Sequence, residues 1–140
     1  MFKQMKIVQK LFYLIIPIGI ISCFPNPRYS LDKDFNLVNC DGIPIYVITI
    51  DKKVNGKGSY EGNIYYNREK DPSGTEALSE LNLMVLDENY YFSPSSFIFE
   101  AGVIYDITIG GGDVRASFEF LVDSVDGKLQ IIEGTQLCEE

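Results

Sequence analysis

The residues of this chain that could do chemistry are 20 acids, nine tyrosines and three cysteines, and none of its 140 residues is histidine. Without an imidazole, the chain cannot form the Ser-His-Asp or Cys-His arrangements that activate a nucleophile. Two carboxylates could still act as acid and base, as in glycoside hydrolases, if they lay roughly 5–10 Å apart in a cleft. So many acids make some close pair inevitable. We therefore expect no enzyme and no catalytic residue, and keep a carboxylate-dependent hydrolase as an alternative.

Three consecutive aromatic residues, Tyr90, Tyr91 and Phe92, could contact a ligand by stacking. Aromatic residues are also enriched in β-strands, where alternate side chains point to opposite faces. The same trio therefore fits an edge strand that buries alternate rings. Both interpretations are kept, with all three residues as candidate ligand contacts.

Two glycine-containing segments have to be compared with the sequence patterns of known ligand-binding loops. Residues 110–113 (GGGD) lack the GxxxxGK[ST] pattern of a phosphate loop, and no helix is predicted after them. Asp123, Asp126 and Gly127 lack the alternating oxygen ligands and closing glutamate of an EF-hand loop. We interpret both segments as turns, and we expect no metal site and no cofactor.

The amino-terminal segment has the pattern of an export signal. Lys3, Lys6 and Lys10 form a basic leader without an acid, and residues 11–21 (LFYLIIPIGII) are an uncharged apolar run. Eleven apolar residues suit the core of a signal peptide. They are too few to cross a bilayer, which takes about 20.

The residues that follow this run, Ile20-Ile21-Ser22-Cys23, resemble the lipobox of bacterial lipoproteins. That motif has an aliphatic residue, a tolerated residue, a small residue and then cysteine; isoleucine replaces the commoner leucine at its first place. In that family the cysteine carries a diacylglycerol, the leader is cut before it, and the new amine is usually acylated, with chains such as palmitate. The resemblance implies that residues 1–22 are a signal peptide and that Cys23 is the lipidation site.

The lipobox resemblance also implies a location. Two or three acyl chains hold a protein stably on a membrane. Phe24 stands where an aspartate would retain a Gram-negative lipoprotein at the inner membrane, so we expect the outer membrane, on its periplasmic or surface face, in such a host. Pro25 and Pro27 favour extended backbone. We interpret residues 23–34 as the lipidated cysteine and a tether, and residues 35–140 as one domain.

With Cys23 assigned to lipid, Cys40 and Cys138 remain. Exported proteins meet oxidising compartments, where an even number of cysteines tends to pair. Two cysteines without histidine are also too few for a standard zinc site. We predict a Cys40–Cys138 disulfide, with two separate thiols as the alternative.

Short strand-like segments alternate with turn signals along the rest of the chain. The predicted strands cover residues 43–50, 59–66, 97–99, 103–109, 116–122 and 129–132. Asn55-Gly56 and Asp126-Gly127 are strong hairpin-turn pairs. Residues 75–81 could form one helical turn with Thr75 as its cap, and residues 81–86 fit either a strand or the end of that helix.

Strands of this length and spacing predict a mainly-β fold, an antiparallel β-sandwich with the option of one short helix. Residues 97–109 (FIFEAGVIYDITI) show a strand, a glycine-containing turn and a tyrosine-containing strand. This order loosely resembles transthyretin-like and immunoglobulin-like sandwiches. The resemblance covers thirteen residues of the chain.

The charge balance narrows the class of partner. The chain has 20 acids against 12 bases, and loss of the three leader lysines would leave 9 − 20 = −11. Such a surface repels nucleic acid and anionic lipid, and it permits a basic protein. We expect a non-catalytic module that binds another envelope or secreted protein, for example an inhibitor or immunity-type lipoprotein. A structural lipoprotein of an envelope-assembly or secretion apparatus is the alternative.

Overall fold

The computed structural model describes residues 28–94, 96–110 and 115–139. Within these ranges the chain forms β-strands and no helix. The strands are β1 (Tyr29–Leu31), β2 (Asn36–Asn39), β3 (Val47–Val54), β4 (Lys57–Tyr66), β5 (Glu80–Asn82), β6 (Tyr90–Ser93), β7 (Val103–Gly110), β8 (Ala116–Val125) and β9 (Lys128–Glu133). The predicted mainly-β fold is confirmed, and the optional helix is wrong.

The strands form two antiparallel sheets that share one hydrophobic core. The small sheet has the order β1-β2-β5, and the large sheet has the order β6-β4-β3-β7-β8-β9. Side chains alternate between the faces of the strands, so that each sheet turns one face towards the core. Fully buried core residues come from both sheets: Leu31, Leu37, Ile48, Ile50, Ile64, Tyr105, Ile107, Ile109, Phe120 and Val122. The fold is a sandwich-like all-β domain.

Two tight hairpins join neighbouring strands where the sequence predicts them. Asn55 and Gly56 have φ angles of 53° and 77° between β3 and β4. Asp126 and Gly127 have φ angles of 52° and 78° between β8 and β9. Two-residue turns with positive φ at both positions match the right-handed twist of the strands. These turns set the register of the β3–β4 and β8–β9 pairs.

The folded domain begins earlier than predicted. Residues 29–31 were assigned to the tether, but they form β1, which pairs with β2. Leu31 is fully buried. The domain therefore starts by Tyr29 rather than at residue 35, because the small sheet needs this strand. In the other direction, β3 starts at Val47 rather than Ile43, since Pro44 has no N–H to donate to a ladder.

Two other predicted segments differ in the structure. Residues 75 and 76 form a turn, and Glu80–Asn82 pairs with β2 as strand β5. This pairing buries Leu81, so the tertiary contact overrides the local preference for a helical turn. Residues 97–99 form no strand, although Phe99 is buried and Ile98 is exposed. Their side chains alternate between the core and the solvent, but no neighbouring strand pairs with their backbone.

The C-terminal tail closes the domain onto its first strand. Gln136 exchanges two backbone hydrogen bonds with Leu31, of 2.6 and 3.0 Å. Beyond it, the predicted disulfide between Cys40 and Cys138 is present, and the two Cα atoms lie 5.6 Å apart. The tail thereby leaves the large sheet and is fixed to the small one.

Several predictions lie outside the described residues. These are the signal peptide (1–22), lipidation of Cys23, the tether up to residue 27 and most of the GGGD turn (111–113). Across 28–94, 96–110 and 115–139, no helix is long and apolar enough to cross a membrane.

Candidate functional site

The outer face of the six-stranded sheet, the face turned away from the core, carries an open cavity of about 900 Å³. Val47 and Thr49 of β3, Tyr65 of β4 and Thr108 of β7 line it. Val47 and Thr49 flank the buried Ile48 on β3, so their side chains point to the opposite face of the sheet, where the cavity lies. Its volume lies within the range of small-molecule and peptide pockets, roughly 300–1,000 Å³.

Two tyrosine rings form one side of the cavity. Tyr65 of β4 is the register partner of Tyr91 of β6, and their ring centroids lie 5.8 Å apart. The Nδ2 of Asn63 donates a hydrogen bond of 2.7 Å to the Tyr65 hydroxyl, which fixes that ring. Tyr91 is 47% exposed. This pair offers a flat, accessible aromatic surface.

The three aromatic residues predicted as ligand contacts have different positions. Tyr91 lines the cavity. Tyr90 is buried, and its hydroxyl donates to the carbonyl of Ile45 at 2.8 Å. Phe92 is partly buried and packs on Phe97, with 5.8 Å between ring centroids. The trio is indeed an edge strand, and only its middle residue faces the cavity.

Two arginines stand at the rim of the cavity. The guanidinium carbon of Arg68 lies 4.6 Å from the ring centroid of Tyr46, in a cation–π contact. Arg115 precedes β8 and is exposed. No carboxylate of the described residues forms an ion pair with either one. We call this site, defined by Tyr46, Tyr65, Tyr91 and the two arginines, the tyrosine–arginine cavity.

The buried Tyr66 packs against Tyr46, the ring that Arg68 contacts. Tyr66 is 4% exposed and meets the Tyr46 ring edge-on at 5.8 Å. Its hydroxyl donates a hydrogen bond to Asp71, whose carboxylate also accepts the amide of Glu76 at 3.0 Å. Burial, followed by the bond to Asp71, raises the pKa of Tyr66 to about 12. The hydrogen bonds from Tyr66 and Glu76 lower the pKa of Asp71 to about 2.

Stability at acid pH is expected to depend on Asp71. Its folded-state pKa of about 2 lies below the ordinary 3.8, so the charged form is favoured by folding. This contribution is complete above about pH 4 and is lost as the pH falls towards 2. The raised pKa of Tyr66 affects stability at alkaline pH instead. Its stabilising contribution is complete below about pH 10 and is lost as the pH rises towards 12.

Thermal unfolding of Asp71→Asn against pH measures this effect. The melting temperature of the parent chain should fall more steeply than that of the variant between about pH 4 and pH 2. Tyr66→Phe removes the same hydrogen bond from the donor side, so it should flatten the acid and the alkaline limbs. Parallel curves for all three proteins would show that the Tyr66–Asp71 bond does not contribute.

Among the described residues that line the cavity, the acidic and phenolic groups are those of Glu69 and the tyrosines. Glu69 is the one carboxylate among those that line it. A smaller cavity of about 290 Å³ contains Glu61 and Glu100, but Glu100 accepts a 2.9 Å hydrogen bond from Lys52. That carboxylate is therefore already engaged by an ammonium group. Within the described ranges, no group of three or more Cys, Asp or Glu is placed to hold a metal ion.

Sequence reasoning identified one residue of the tyrosine–arginine cavity, Tyr91, and missed the others. Tyr65 had a detectable signal, since it alternates with buried Ile64 on a predicted strand. Arg68 and Arg115 had none, because they lie outside the strands and reach the cavity only through the tertiary fold.

No protein-family model, curated protein or solved structure matches the chain. The function proposed below therefore draws on the geometry of the cavity, the charges around it and the lipobox resemblance.

Proposed function

We propose that the chain is a bacterial envelope lipoprotein, anchored through acyl groups on Cys23, and that its β-sandwich domain is a non-catalytic module that binds another envelope or secreted protein. The tyrosine–arginine cavity is the observation that carries this proposal. Tyrosine and arginine are enriched in the energetically dominant parts of protein interfaces. Tyrosine adds a large, rigid contact area at a low cost in conformational entropy.

Under this proposal, the position of the first described residue, Arg28, limits how far the domain lies from the membrane. The carbonyl of Arg28 accepts a 2.9 Å hydrogen bond from the amide of Cys40, and its guanidinium pairs with Asp41 at 2.7 Å. Ile43, two residues further on, lines the cavity. The five residues 23–27 can span at most about 18 Å. An anchor on Cys23 would therefore hold this end of the cavity close to the membrane surface.

Site-specific photo-crosslinking in the native host cells tests the binding role. A benzoylphenylalanine at position 91 keeps an aromatic ring in the cavity, where we expect it to crosslink one discrete partner protein. The same probe at Val125 is the control. Val125 is 39% exposed against 47% for Tyr91, and it lies on β8, away from the cavity.

The two probe positions separate specific binding from random collision. A partner band that forms from position 91 and is absent from position 125 would support the proposal. Equal bands from both positions, or no band from position 91 in cells that contain the full envelope, would contradict it.

A further inference from the structure

Two arginines line the cavity, where an anionic group of a ligand could contact them. The chain has three arginines, and Arg28 is committed to Asp41. Arg68 and Arg115 are exposed and, among the described residues, have no carboxylate partner. Both line the same cavity. A ligand in the cavity would meet these two positive charges and the one carboxylate of Glu69 within one site.

Arg68 is held in place before any ligand arrives. It stacks on Tyr46, which packs against the buried Tyr66, and Asp71 fixes the Tyr66 hydroxyl. A guanidinium that stacks on a ring by its face keeps its N–H edge free for bidentate contact with a carboxylate. Because the side chain is already ordered, binding loses less entropy there.

The overall acidity of the chain does not prevent this contact. At physiological ionic strength, charges further apart than about 8 Å are largely screened. The net charge of −8 therefore affects how fast a partner approaches. The binding of a group that touches Arg68 and Arg115 depends mainly on those two nearby charges. A partner that is basic overall can still present a short acidic segment to this site.

The surface beside the arginines is apolar and aromatic. Ile43 is 54% exposed and lies with Val47 and the Tyr65–Tyr91 pair around the cavity. Among the described lining residues, Asn67 and Glu69 provide the amide and carboxylate groups, and a polyhydroxylated sugar would need more of them. An apolar or aromatic side chain next to an anion fits this lining better than a glycan does.

Strands β3 and β4, which lie beneath the cavity, are already hydrogen-bonded on both sides. At the level of Tyr65, strand β4 is hydrogen-bonded to β3 on one side and to β6 on the other, and β3 is bonded to β7. An extended peptide therefore cannot add as a strand between them, and among the described strands the one free edge beside the cavity is the outer side of β6. A peptide in the cavity would be recognised through side chains that enter it.

We propose that the tyrosine–arginine cavity binds an acidic segment of the partner protein. An Asp or Glu side chain of the partner contacts Arg68 and Arg115, and a neighbouring aromatic or aliphatic side chain packs on Tyr65 and Tyr91. This inference rests on the proposed function, since it specifies which chemistry of a protein partner the module recognises.

A random dodecapeptide display library, selected against the immobilised full-length chain, tests the inference without knowledge of the natural partner. The selected peptides are expected to share an Asp or Glu within two positions of an aromatic or aliphatic residue. Fluorescence anisotropy of a synthesised peptide then compares variants. Arg68→Gln should weaken binding about tenfold or more, and Arg28→Gln should leave it unchanged.

A change in the peptide keeps the test independent of protein folding. Conversion of the shared Asp or Glu to its amide should weaken binding to the unaltered chain by a similar factor. Peptides without an acid, or binding that is indifferent to Arg68→Gln and to the amide, would overturn the inference while the protein-binding role stands. Binding of oligogalacturonate in the cavity, with no peptide selected, would overturn both.

Discussion

Replacement of both Cys40 and Cys138 by serine is expected to lower the free energy of unfolding by about 4.7 kcal/mol, the chain-entropy value for a bridge across 98 residues. The bridge closes nearly the whole described domain, because Cys40 follows β2 and Cys138 lies in the tail beyond β9. Domains are commonly stable by about 5–15 kcal/mol. A large share of the stability therefore depends on this one bond, and equilibrium urea unfolding of parent and variant measures it.

The third cysteine provides the matched control for this experiment. Cys23→Ser removes a thiol outside the described domain, so it should leave the urea midpoint of the domain unchanged. If the double variant stayed within about 1 kcal/mol of the parent, the ordinary effect of a single point mutation, the bridge would not be a main support of the fold.

Gly134→Ala is expected to destabilise the domain by about 3 kcal/mol, as the sum of backbone strain and overpacking. Gly134 has a φ of 89°, in the region that disfavours residues with a Cβ. A Cβ there would overlap the carbonyl oxygen of Glu119 and lie 2.8 Å from the Cα of Phe120. Both are backbone atoms of β8, so neither can move without distortion of the large sheet.

Gly127→Ala separates the two causes. Gly127 also has a positive φ, of 78°, but no atom lies within 4 Å of a Cβ placed there. This control should lose about 1–2 kcal/mol through backbone strain alone. Urea unfolding of the two variants side by side gives the difference. Equal losses would show that the tail after β9 does not press against β8 as the structure describes.

Features of the fold that are local in sequence could be predicted from it. The Asn55-Gly56 and Asp126-Gly127 turns need only their own residues to favour positive φ at two successive positions. The alternation of Ile107 and Ile109 with Thr108 likewise reflects which face of β7 is buried. Each signal is complete within about ten residues.

The small sheet could not be predicted in the same way. Strands β1 and β5 have three residues each and lie about 50 residues apart, on either side of β2. Such segments carry too little periodicity to distinguish strand from tether or helical turn. Their strand conformation comes from pairing with β2 and from burial of Leu31 and Leu81. Both causes are tertiary contacts.

The residues of the candidate site differ in the same way, because some have a local sequence signal and others depend on tertiary contacts. Tyr91 was found because three aromatic residues in a row are visible in any sequence. Arg68 was missed, since its role depends on a contact with Tyr46, 22 residues earlier, that forms only when the loop after β4 folds back. Arg115 reaches the cavity from the segment before β8.

Fold, cavity and anchor fit one arrangement under the proposed function. The domain starts at the small sheet, where Arg28 meets Cys40 and Asp41. The disulfide fixes the C-terminal tail to the same region. Under the proposed function, attachment through Cys23 would hold the domain at a membrane by this end.

The intact mass of the protein purified from its native membrane, beside a Cys23→Ala variant, tests the proposed anchoring most directly. We predict a mass equal to residues 23–140 with the disulfide formed, increased by a diacylglycerol and a further acyl group, and loss of this species in the variant. A parent chain that keeps residues 1–22, or that starts elsewhere without lipid, would contradict the anchor. The domain would then have to find its partner without attachment through Cys23.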